Sequence, residues 1–152
     1  MTFDWIHFHL AVNHFPVVLA WIGALAALGA AAKRSDAIWS YSAVTLILAG
    51  IFAPVALLTG RQAEEEAEQA LSVTHDAIHA HEERAEIAMW LSLAVAALAI
   101  VSLRRPLLQW RLALCVLALL AAGAIGIAAL EGGKITHQNP RPEGPVASGV
   151  LP

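Results

Sequence analysis

Seven histidines are the residues with chemistry to offer in this 152-residue chain. His7, His9 and His14 stand near its start, His75, His79 and His81 follow an acidic segment, and His137 precedes a proline-rich end. Imidazole titrates near neutrality and is the commonest metal ligand, so histidines gathered in one place make a candidate site. Other reactive types are scarce. The one cysteine, Cys115, lies in an apolar run, and two methionines are too few for a thioether copper path. No Cys-x-x-Cys-His motif occurs, which excludes covalent c-type haem in this chain.

The elements that position these histidines are apolar. Hydrophobic residues make up 59% and charged residues 14% of the chain, and mean hydropathy is +0.66. Soluble domains carry about 25% charged residues. Such values exclude a disordered chain, a nucleic-acid binder and a disulfide scaffold. Four stretches, 11–32, 37–59, 87–103 and 112–130, are nearly free of charge. Most approach the ~20 residues that a bilayer core requires. In lipid only helices or closed barrels satisfy their backbones, and apolar runs without alternation mean helices. The third run is short, and the polar residues from His75 to Glu86 continue its helix outward.

The expected fold is all-α: an integral membrane, up-down bundle of four transmembrane helices over residues 1–138. Its spans are expected near 11–32, 37–59, 79–103 and 107–130, with an extended Pro-rich tail over 139–152. Gly60 reads as a stop for the second helix, and RQAEEEAEQALSVT after it as a short acidic surface helix. Gly132-Gly133 beside Glu131 reads as the end of the fourth.

Charge gives the orientation. Lys33, Arg34, Arg104, Arg105 and Arg111 against the single acid Asp36 give one edge +4. Arg61, Arg84, Lys134 and Arg141 against the eleven remaining acids give the other −7. The positive-inside rule then puts both termini and every histidine outside, in a bacterial inner membrane on the periplasmic side. The N-terminus has Asp4 and no early lysine or arginine, so the first helix is expected to remain rather than be cleaved.

Helical phase separates the histidines. His75, His79, Glu82 and Glu86 follow one stripe at about 100° per residue, and His81 points roughly 120° away. His81 aligns with Ala85, Ala88, Ser92 and Ala99, the small residues that mark a close-packed face. His14 stands at the mouth of the first helix if that helix starts near Pro16, and one turn or more deeper if it starts near Phe8. A b-type haem takes two axial imidazoles from facing helices and small residues around its plane. His14 and His81 are the expected axial pair, with His9, His79 and His137 as substitutes or supporting donors. Asn13, Glu82, Glu86 and Thr136 are available to orient them. The alternative is a non-haem copper, zinc or iron site on His75, His79 and Glu82, where the i, i+4 histidines chelate.

The segment HLAVNHFPVVLAW, with His9, His14, Phe15 and Pro16, resembles the opening of an uncharacterised family of four-helix bacterial membrane proteins. EGGKITH, Glu131 to His137, resembles the Gly-Gly then Thr-His that closes the fourth helix in members joined to c-type cytochrome domains. HAHEERAEIAMWL is compatible with the start of that family's third helix. The resemblance covers roughly residues 7–138 and implies electron transfer on the periplasmic side, since members occur with cytochrome c or Rieske iron–sulfur domains. This chain has no such domain and carries leucine after His9 where the family often has proline, so a partner subunit is expected to supply the carrier.

The expectation is therefore a membrane haem b electron-transfer subunit rather than a stand-alone enzyme. Its partners are the lipid bilayer, a cytochrome c or Rieske-type protein, other membrane subunits and a quinone, and no nucleic acid. A non-haem metal protein and a structural accessory subunit are the alternatives.

Overall fold

The computed structural model describes residues 4–71 and 75–137. Five helices follow in chain order: α1 (Trp5–Val12), α2 (His14–Lys33), α3 (Asp36–Leu71), α4 (His75–Arg104) and α5 (Leu108–His137). α1 and α2 together make the first of four segments long and apolar enough to cross a membrane; α3, α4 and α5 supply the others. The chain is an all-α, multi-pass membrane bundle. α2 packs on α3, α3 on α4 and α4 on α5, and α5 closes the ring on α2. The 139–152 tail lies outside the described residues.

Alanine dominates the core because helices in lipid associate through close van der Waals contact rather than hydrophobic exclusion. Ala24, Ala27, Ala43, Ala99, Ala118 and Ala122 are fully buried. α3 and α4 approach closely at Gly50. A Cβ on Gly50 would lie 2.6 Å from the Ala96 Cβ and 2.9 Å from the Ser92 carbonyl oxygen. Ser42 donates to the Gly23 carbonyl at 2.8 Å, joining α3 to α2 inside the core. Leu25, Leu58, Trp90, Leu108, Leu120 and Leu130 are exposed, as a wall facing lipid requires. At the arginine end, Arg111 binds Asp36 at 2.6 Å and lies over the buried Trp39 ring.

Three expected boundaries move. The first helix begins at Trp5, and only Asn13 interrupts it. Pro16 has no N–H for the Val12 carbonyl, so the chain restarts at His14 and puts the proline in a first turn. Asn13 keeps right-handed helical angles, so α2 continues in the sense of α1. The acidic segment after Gly60 is not a separate surface helix: α3 runs unbroken for 36 residues. One glycine costs a helix only about 1 kcal/mol, and the alanine and glutamate that follow favour continuation. α5 likewise passes through Gly132-Gly133 to His137.

Candidate functional site at the histidine end

Two of the three glycines that read as helix stops receive an imidazole. A Cβ on Gly60 of α3 would lie 3.1 Å from His9 Cε1, and one on Gly132 of α5 would lie 3.0 Å from His81 Cε1. Any side chain at either place would press on the ring. The two rings come from α1 and α4, at the same end of the bundle.

Local capping holds α1 where His9 can reach α3. Asp4 accepts from the His7 backbone N–H at 2.9 Å, and Glu66 of α3 accepts from the Trp5 N–H at 3.1 Å. These carboxylates satisfy donors that a helix N-terminus leaves open. The His7 contact holds the exposed Asp4 carboxyl below the usual carboxylate range. The acidic extension of α3 thus anchors the element that carries His9. Arg61 of α3 binds Glu82 of α4 at 2.5 Å and Glu86 at 3.5 Å, and Arg84 of α4 binds Glu131 of α5.

The hydrogen bonds favour one His9 tautomer. Thr59 donates its hydroxyl proton to the Ala56 carbonyl at 2.9 Å. Its oxygen is left to accept from His9 Nδ1, 3.2 Å away. Neutral His9 therefore carries its proton on Nδ1 and presents a lone pair on Nε2. His81 continues the face on which Ala88, Ser92 and Ala99 are buried. Its Nδ1 is buried with no hydrogen-bond partner. A nitrogen in that state costs about 1–3 kcal/mol unless something satisfies it.

The other histidines go elsewhere. His14 is exposed, and its Nδ1 donates to the Leu10 carbonyl at 2.6 Å within the same stretch of chain. The structure thus turns His9 to Gly60 of α3 and His81 to Gly132 of α5, while His14 turns to its own chain. His7 is exposed and bonded to Asp4. His75 and His79 stack at 6.1 Å, both exposed. His79 Nδ1 lies 3.9 Å from Glu82, whose other oxygen is held by Arg61, while His75 Nδ1 turns to Glu68 at 2.8 Å. His75, His79 and Glu82 share a stripe without converging. Glu82 and Glu86 bind Arg61, and the side chains of Thr136 and His137 lie outside the described residues.

Thr59 was not visible from sequence as a site residue. Its signal was its place, a hydroxyl at the end of an apolar run and next to a glycine. An apolar recess between α4 and α5, lined by Leu98, Leu112, Ala113, Val116 and Leu117, includes no histidine. No protein-family model, curated protein or solved structure matches this chain at a significant level.

Proposed function

We propose that the chain is a membrane-embedded electron-transfer subunit that holds b-type haem at its histidine end, where His9 and His81 would hold the group. The observation that carries this reading is the pairing itself. Two part-buried imidazoles from different helices lie at the same end of the bundle, each seated on a glycine, one held through Nδ1 by Thr59 and one with a buried nitrogen left unpartnered. The donor set fits a group that needs two neutral imidazoles. Haem supplies a one-electron couple whose potential follows its axial ligands and the polarity around it.

The residues divide the remaining work. Thr59 holds His9 through Nδ1, which orients the ring and leaves Nε2 to bind. Gly60 and Gly132 provide the space in which the rings lie. His14 is not proposed as a ligand, being exposed and bonded to its own chain. The lipid-facing wall keeps bulk water from the bundle. The resemblance of HLAVNHFPVVLAW and EGGKITH to proteins found with cytochrome c or Rieske domains supports a redox partner of that kind.

The charge distribution supports the placement. The arginine end is inside by the positive-inside rule, and the histidine end then faces the periplasm with both termini. Its acidic rim favours a basic carrier protein, and a quinol in the bilayer is the proposed opposite partner. Purified from haem-sufficient cells in detergent, the chain is expected to show a Soret band and a sharpened α-band on reduction. A colourless, iron-free preparation overturns the reading.

A further inference from the structure

A second donor cluster stands apart from the His9–His81 pair. Glu64 and Glu68 lie one turn apart on the outer extension of α3, and His75 opens α4 beside them. His75 Nδ1 is 2.8 Å from Glu68 Oε1 and 3.6 Å from Glu64 Oε1. One ligand atom from each residue lies within 4.8 Å of the other two, which no other such trio among the described residues achieves. Arg61, one turn before Glu64, spends its guanidinium on Glu82 and Glu86. Among the described residues His75 is the only base ion-paired with these two carboxylates, and like charges one turn apart repel.

We propose that Glu64, Glu68 and His75 bind a divalent transition-metal cation of the Zn²⁺ class. Two carboxylates and an imidazole match the mixed oxygen and nitrogen donors that Zn²⁺ accepts, with a fourth position open to water. Tetrahedral bonds of about 2.0–2.2 Å put donor atoms roughly 3.3–3.6 Å apart. Two separations already lie near or below that range, and the rest requires a rotamer change of side chains near the surface. Calcium and magnesium require six or more oxygens and fit this set poorly. Bound there, the cation ties α4 to the segment of α3 that also anchors α1 through Glu66. The site does not depend on haem.

The test uses the full chain in detergent, stripped with a chelator and titrated with Zn²⁺ against a chromophoric competitor. One Zn²⁺ per chain is expected, undisturbed by a hundredfold excess of Ca²⁺. E68Q and H75A are each expected to weaken binding by roughly tenfold or more, and E64Q/E68Q/H75A to abolish it. H79A, an exposed neighbour outside the trio, is expected to bind within about twofold of wild type. Circular dichroism checks that each variant keeps its helices, and E64Q and E68Q preserve side-chain shape if H75A does not fold. Zn²⁺ binding that survives in the triple variant, a wild-type chain that takes up none, or a loss in H79A equal to that in H75A overturns the proposal.

Discussion

The His81 imidazole of α4 rests on Gly132 of α5, so close that a Cβ there would lie 3.0 Å from its Cε1 and 3.3 Å from its Nε2. His9 and Gly60 repeat the relationship between α1 and α3. In an ordinary helix, glycine to alanine stabilises by about 0.5–1 kcal/mol. Gly133 has nothing within 4 Å of an added Cβ, so G133A is expected to show that gain. G60A and G132A are expected to show none, because the new methyl displaces a ring. Thermal unfolding in one detergent compares the three. Equal gains in all of them would mean that the imidazoles do not need these glycines.

Thr59 orients His9 without being a ligand. T59V keeps the shape and removes the hydroxyl, leaving Nδ1 without its acceptor. Haem affinity is expected to fall about 10–100-fold, the usual effect of losing a group that orients a ligand. T59S is expected to restore most of it. Haem titration of the apoproteins reads both, and identical affinities for T59V and wild type would contradict the assignment.

The crossing of α3 and α4 sets the frame that holds His9 and His81. G50V forces a branched side chain against the Ser92 carbonyl and Ala96, with an expected loss of about 1–3 kcal/mol. Gly29 in α2 has no atom within 4 Å of an added Cβ, so G29A is expected to be neutral or to stabilise by up to about 1 kcal/mol. Denaturation in mixed micelles measures the difference. A G50V variant as stable as wild type would show that the close approach is dispensable.

Asp4 makes the first turn of α1 sensitive to acid. Its folded pKa is depressed by the contact with His7, so its contribution is complete above the unfolded value of about 3.9. That contribution is lost as pH falls through the lower folded value. Amide exchange at Ile6 to Phe8, corrected for intrinsic rates, is expected to rise only at the acid end. D4A is expected to show the same rise at neutral pH. Protection that persists in D4A would assign the anchoring of α1 to Glu66 alone.

The fold was legible because four apolar runs without alternation permit only helices in lipid, and their lengths set the number of spans. The ends were not. A glycine bordering a polar segment is equally a cap and a place for a neighbour's ring, and Gly60 and Gly132 acquire the second meaning only when α1 and α4 are beside them. His81 was readable by phase from Ala88, Ser92 and Ala99, which are buried in one face. The choice between His9 and His14 was not, since five residues turn a helix by about 140° and sequence does not say which side faces in. Pro16 and the turn at Asn13 set the phase locally, and with the acids that cap and anchor α1, His9 comes to lie against Gly60. Glu64, Glu68 and His75 stayed hidden because their meeting depends on how α3 extends past Gly60.

The most direct measurement is the oxidised and reduced absorption spectrum of four purified chains: wild type, H9A, H81A and H14A. Wild type and H14A are expected to carry one haem, with a Soret band and a sharp α-band on reduction. H9A and H81A are expected to lose the low-spin spectrum while keeping their helices. A wild-type chain without haem, or H9A and H81A spectra that match wild type, would contradict the central claim.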